Sequence, residues 1–188
     1  MNKAIRIFLV FVVICALFFV SEGVYVVNLM KNSDAFSDYV LRTAKPFAAA
    51  GAVDISFYIL TKGEINLPSD QNFKTKVKDY LRTFPSNYDL KRVYYDLAVM
   101  SYYNGQKELT PNLLKLSVDN FPDSSFSQVE LANYYLFVGK VDSGREVLEG
   151  CVKRKYPQRH CQEYLDSNFK NNQPDYPGFL REYVGSFY

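Results

Sequence analysis

The chain has 188 residues, of which 48% are hydrophobic and 16% aromatic, and it contains no Trp. This length and composition suit one globular domain with an accessory segment. The formal net charge is only +2, and acidic and basic residues are interspersed without a basic stripe, which argues against a nucleic-acid-binding protein.

The first thirty residues contain a long apolar segment. Lys3 and Arg6 precede an uncharged run from Ile7 to Val20, and the apolar character extends beyond it. A membrane-spanning helix needs about 20 residues, so residues 5–26 predict a single transmembrane helix. The small residues after the run leave open a cleaved signal peptide instead. Either interpretation places the rest of the chain outside the cytoplasm.

Two helices are predicted before the middle of the chain. The first covers residues 33–45, starts at Ser33 or Asp34, and ends before Pro46, since proline interrupts helical hydrogen bonding. The second lies within residues 72–85, and four large side chains form its apolar face: Phe73, Val77, Tyr80 and Leu81.

The sequence then repeats itself loosely at a constant spacing, which we call the repeat interval. Leu97-Ala98 is matched by Leu131-Ala132, and Gly105 is matched by Gly139. The same interval relates Leu114 to Leu148 and Ser117 to Cys151. Each unit is read as two helices joined by a turn at the glycine. In the first unit, Thr110-Pro111 predicts an N-cap and the first position of the second helix.

These residues and their spacing resemble the tetratricopeptide (TPR) repeat, a helix-turn-helix unit of about 34 residues. The resemblance implies an all-α fold, a TPR-like α-solenoid of antiparallel helix pairs preceded by one transmembrane helix. Periodicity alone also permits a helical bundle without repeats. The predicted divisions are an anchor or signal peptide at 1–30, a linker helix at 31–52, the repeat domain at 53–170, and a tail with a short helix at 171–188.

The resemblance also implies a partner-binding groove along the first helix of each unit. By analogy with the family, the groove positions are Arg92, Tyr95, Val99, Tyr102, Tyr103, Phe126, Val129, Asn133, Leu136 and Phe137. Such an aromatic surface suits the capture of a peptide or a helix. The alternative is that several of these side chains belong to the core, because the sequence does not fix the rotation of each helix.

Cys151 and Cys161 are the two cysteines that follow the apolar segment. An even number of cysteines in an exported domain predicts a disulfide between them. Two separate buried thiols are the alternative, because Cys151 occupies a repeat position that requires a small residue.

The sequence shows no pattern typical of catalysis or of cofactor binding. His160 is the only histidine, and acidic residues such as Asp89, Asp96 and Glu130 are expected on a solvated face. We therefore expect no enzyme activity, no cofactor and no metal. We expect a single-pass protein of the bacterial inner membrane, with most of the chain in the periplasm, that binds another envelope protein in envelope, pilus or secretion assembly. The alternatives are a soluble periplasmic adaptor and an accessory subunit of an envelope enzyme.

Overall fold

The structure is a computed structural model that describes residues 33–84, 88–154 and 159–169. These residues form helices and no strands, which confirms the all-α class. Two compact units divide the chain, residues 1–39 and 40–188. Within the described ranges, no helix has both the length and the apolar character needed to cross a membrane. The predicted membrane segment at 5–26 and the tail at 171–188 lie outside the described residues.

The helices follow one another with short connections, and we number them in chain order. They are α1 Ser33–Ala49, α2 Val53–Leu60, α3 Gln71–Thr83, α4 Leu90–Tyr103, α5 Leu109–Asn120, α6 Ser125–Phe137, α7 Val141–Val152 and α8 Arg159–Tyr164, and a π-helical segment Leu165–Phe169 follows α8 directly.

Helix α1 passes through Pro46, so the predicted end before this proline was wrong. Proline removes one donor from the helix, but its own carbonyl still accepts a hydrogen bond. Ala50 N donates to Pro46 O over 2.9 Å. The last turn of α1 is thereby completed, and the helix ends at Ala49.

Three helices begin at side chains that cap free backbone amides. Asp70 accepts a hydrogen bond from Phe73 N at 2.6 Å, and Asp89 accepts one from Arg92 N at 2.9 Å. Ser124 caps α6 in the same way. Loss of such a cap typically destabilises a protein by about 1 kcal/mol. Asp89, expected on a solvated face, therefore has a structural role at the start of α4.

The turns after α2, α4 and α6 share one conformation. Gly105 and Gly139 have φ of +79° and +77°, and Lys62 holds the equivalent place after α2 with φ of 54°. In each turn this residue donates to the carbonyl three residues back, and the next residue donates to the carbonyl five back, over 2.7–3.3 Å. This bonding pattern terminates a helix and favours glycine, because an L side chain crowds the backbone at positive φ. The predicted turns at Gly105 and Gly139 are both present.

The two helices of each later hairpin approach closely at small residues, and these contacts also recur at the repeat interval. Thr110 Oγ1 on α5 lies 3.2 Å from Ala98 O on α4. In α7, a Cβ placed on Gly144 would lie 2.9 Å from Ala132 O on α6. The predicted N-cap at Thr110 was wrong, because α5 begins at Leu109 and the buried Thr110 hydroxyl bonds across to α4 instead.

Successive hairpins are joined at two equivalent junctions. Between α5 and α6, the buried Ser117 and Ser127 hydroxyls are hydrogen-bonded at 2.8 Å. Between α7 and α8, one repeat interval later, Cys151 and Cys161 form a disulfide with a Cα–Cα distance of 6.3 Å. The predicted disulfide is therefore present. It occupies the place that a serine pair takes in the preceding unit.

The core runs along α4, in which every residue from Val93 to Ser101 is buried. Helix α4 packs on α5 and contacts α6, and α6 in turn packs on α7 and contacts α8. The first helices α4, α6 and α8 therefore lie beside one another. The predicted apolar face of α3 is confirmed, because its four residues are all buried: Phe73, Val77, Tyr80 and Leu81.

Candidate functional site

The surface formed by α4, α6 and α8, which we call the first-helix face, carries aromatic pairs that bridge neighbouring helices. The rings of Tyr95 and Phe126 meet edge to face with centroids 5.6 Å apart. Those of Tyr102 and Phe137 meet in the same way at 5.3 Å. Such pairs add about 0.5–1.5 kcal/mol beyond simple burial. They link α4 to α6.

The ten predicted groove residues divide by their exposure. Four are buried, at 0–4% exposure, and their side chains belong to the core: Tyr95, Val99, Asn133 and Leu136. Five are half-buried: Arg92, Tyr102, Phe126, Val129 and Phe137. Tyr103 is 51% exposed. A partner that approached this face would meet the last six, while the buried four hold the helices beneath them.

Arg92 forms the polar end of the first-helix face. Its Nε lies 3.0 Å from Asp96 Oδ1, and its guanidinium lies 5.2 Å from the centre of the Tyr95 ring. The other carboxylate oxygen of Asp96 accepts a hydrogen bond from Tyr80 OH at 2.8 Å. Asp96 is only 3% exposed, so its expected place on a solvated face was wrong. A buried carboxylate needs partners of this kind, and here they come from α3 and α4.

A cleft of about 520 Å³ lies between α6 and the C-terminal part of the structure, and we call it the α6–α8 cleft. Two predicted groove residues, Phe126 and Val129, line one side. Tyr164 lines the other side, and the carboxylates of Glu130 and Glu163 also border the cleft. The cleft therefore combines apolar walls with acidic edges, and a bulky side chain would fit it.

Reasoning from the sequence missed the residues that α8 contributes to this cleft. They are His160, Glu163 and Tyr164, and the π-helical segment that follows adds Ser167. This segment also closes the core, because Cys161 and Phe169 are fully buried. The usable signal was the repeat interval, which aligns Cys161 on α8 with Ser127 on α6. The remaining faces of α8 are thus available to line a cleft.

No protein-family model, curated protein or solved structure matches this chain. The chemistry of the site therefore rests on its own geometry.

Over the described ranges, no three His, Cys, Asp or Glu side chains are grouped so that they could hold a metal ion. Burial, with smaller contributions from Tyr102 and Tyr135, raises the pKa of the Tyr134 hydroxyl.

A larger cleft of about 770 Å³ lies between the loop after α2 and the start of α5. Its charged side chains are mixed in sign, with Lys107 and Lys115 beside Glu108 and Asp119. Mixed charge in an open cleft defines no ligand chemistry. The first-helix face, with its aromatic pairs and its acidic-edged cleft, is the better candidate for a site.

Proposed function

We propose that residues 53–170 form a TPR-like stack of helical hairpins. Three features that recur at the repeat interval support this arrangement. They are the turns at Gly105 and Gly139, the close approach of Thr110 to Ala98 and of Gly144 to Ala132, and the junctions Ser117–Ser127 and Cys151–Cys161. A helical bundle without repeats has no reason to reproduce all of them at one spacing.

On this basis the protein is a protein-interaction module, tethered by residues 5–26 to the bacterial inner membrane and exposed to the periplasm. It binds another envelope protein through the first-helix face. The observation that carries the proposal is the α6–α8 cleft, which shares Phe126 with the aromatic pair that bridges α4 and α6. Tethering raises the local concentration of the module, so modest contacts in this face suffice for a useful affinity.

The composition of the face indicates the kind of segment it binds. Aromatic and aliphatic walls contribute contact area at a low entropic cost. Glu130 and Glu163 at the edge of the cleft favour a basic residue next to the anchoring side chain. The partner segment therefore has a bulky apolar residue next to Lys or Arg.

A peptide display library selected against the full-length chain in nanodiscs tests this function. Binding of the selected peptides is then measured by fluorescence anisotropy with the parent chain and two variants, Tyr103→Ala and Glu163→Lys. Truncation of an important interface residue costs more than about 1 kcal/mol, which is about fivefold in Kd. We expect each variant to weaken binding by at least this factor.

Glu149→Lys is the matched control. Glu149 and Glu163 have similar side-chain exposure, 45% and 51%, and each lies close to a residue of its own helix, Glu149 at 3.6 Å from Lys153 and Glu163 at 3.4 Å from His160. Glu149 does not line the cleft, so its reversal should leave the affinity unchanged. If both reversals weaken binding equally, net charge rather than the cleft governs the affinity, and the proposed site is wrong.

Mass analysis of the mature chain tests the tether, because loss of the first residues would show that a signal peptide has been cleaved.

A further inference from the structure

The C-terminal tail continues from a point beside the α6–α8 cleft. The ring of Tyr164, which lines the cleft, has its centroid 6.2 Å from that of Phe169, the last described residue. Ser167, just before Phe169, lines the cleft itself. Phe169 is fully buried in a cluster with Leu148 and Cys161. The origin of the tail is therefore fixed behind one wall of the cleft.

The sequence of the tail contains the combination that the cleft favours. Arg181 is the only basic residue in 171–188, and Leu180 directly precedes it. The charge of Arg181 is opposite to that of Glu130 and Glu163 at the edge of the cleft, and Leu180 matches its apolar walls. The short helix predicted in the tail would carry an apolar strip on one face: Phe179, Leu180, Tyr183 and Val184.

We propose that residues 177–184 occupy the α6–α8 cleft of the same chain while no partner is bound. In this arrangement Leu180 packs between the apolar walls, and Arg181 lies beside the acidic edge. This docking rests on the proposed function and adds regulation to that site, because the tail and the partner segment compete for one cleft. A partner then binds only the fraction of chains whose cleft is open, which weakens its apparent affinity by that fraction.

The connection is long enough for the tail to reach the whole cleft. Between Phe169 and Leu180 an extended chain spans at most about 40 Å, whereas α6 is about 20 Å long. Residues 170–175 contain no large apolar side chain, which suits a solvated connection. A connection of this length keeps the segment at roughly millimolar effective concentration. Docking within one chain therefore outcompetes docking between chains when the protein is micromolar.

The absence of Trp from the chain provides a direct test. Tyr183→Trp places a reporter in the apolar strip, and Tyr188→Trp, at the last residue of the tail, is its matched control. Each full chain is reconstituted into nanodiscs and titrated with acrylamide. We expect acrylamide to quench Tyr183→Trp less than Tyr188→Trp. Glu163→Lys should remove this difference, whereas Glu149→Lys, outside the cleft, should preserve it.

Binding of an added peptide measures the competition. A labelled peptide of residues 177–188 is titrated with the full chain, and its Kd is determined by fluorescence anisotropy. Arg181→Glu in the full chain should tighten this binding about three- to fivefold, because loss of one important contact shifts the docking equilibrium about fivefold and opens the cleft. Lys153→Glu makes the same change of charge at a side chain that is 77% exposed and outside the cleft, and it should leave the Kd unchanged.

Equal quenching of the two tryptophans, or an unchanged peptide Kd in Arg181→Glu, would overturn the inference. Shielding of Tyr183→Trp that survives Glu163→Lys or increases with protein concentration would also overturn it, because another surface or a second copy would then cover the strip. If the strip is shielded but no displayed peptide binds, the docking stands and the proposed function is wrong. If displayed peptides bind the cleft while Tyr183→Trp is fully accessible, the docking is wrong and the proposed function stands.

Discussion

Gly144 on α7 offers a sharp test of how the hairpins pack. A Cβ at this position would lie 2.6 and 2.8 Å from two ring atoms of Phe169 and 2.9 Å from the backbone oxygen of Ala132. The ring can shift only at the expense of a fully buried position. The backbone oxygen belongs to α6 and cannot rotate away. Gly144→Ala therefore forces α6 and α7 apart or displaces Phe169.

The size of the effect follows from two opposing contributions. Overpacking of a tight core destabilises a protein by about 1–3 kcal/mol, and contact with fixed backbone places this case near the upper end. Alanine stabilises a helix by about 1 kcal/mol relative to glycine. The net loss is about 2 kcal/mol. For a chain of this size, each kcal/mol lowers the melting temperature by about 2–4 °C.

Gly150→Ala is the internal control, because it lies on the same helix and a Cβ there meets nothing within 4 Å. It should gain up to about 1 kcal/mol from helix propensity alone. Urea unfolding followed by circular dichroism would compare both variants with the parent chain. If Gly144→Ala stabilises the chain as much as Gly150→Ala does, Phe169 does not pack over Gly144 and the described close approach is wrong.

Three further predictions follow from the helix contacts. Ser117→Cys combined with Ser127→Cys should form a second disulfide, because this pair lies at the position equivalent to Cys151 and Cys161. Thiol counting and non-reducing electrophoresis would detect the bond, and two persistent free thiols would contradict the prediction. Lys62→Gly should stabilise the chain by about 0.5–1 kcal/mol in urea unfolding, because it relieves a positive φ of 54°. Burial, and then the charge of Glu64, raise the pKa of the Tyr94 hydroxyl. The protonated hydroxyl therefore stabilises the folded chain fully below about pH 10, and this stabilisation falls by about 1.4 kcal/mol per pH unit above that pH. Urea unfolding between pH 8 and 11 should show a smaller loss in Tyr94→Phe than in the parent chain, because Tyr134, whose pKa burial also raises, remains in both.

The parts of the fold that local chemistry determines were predictable from the sequence. Glycines at the repeat interval marked the turns at Gly105 and Gly139, because positive φ is a local requirement. The apolar spacing of α3 identified its buried face. Pro46 misled the prediction, since a proline in the last turn of a helix removes one hydrogen bond without ending the helix.

The parts that depend on distant contacts could not be predicted. The sequence alone indicates that Asp96 is a surface carboxylate, but in the structure Tyr80, on a different helix, donates a hydrogen bond to it. The rotation of α4 decides that Tyr95 is buried while Tyr103 is exposed, and periodicity leaves that rotation open. The α6–α8 cleft depends on where α8 lies against α6, which no pattern within either helix encodes.

The placement of the disulfide has a consequence for local opening of the chain. Helix α8 is the last α-helix in the described part, and it packs mainly on α6, α7 and the segment that follows it. A covalent bond between two elements restricts their local opening more than a hydrogen bond between two hydroxyls does. Cys151 and Cys161 provide such a bond between α7 and α8, while the junction between α5 and α6 has a hydrogen bond in its place. Amide exchange in α8 should therefore quicken under reducing conditions, while exchange in α4 stays slow.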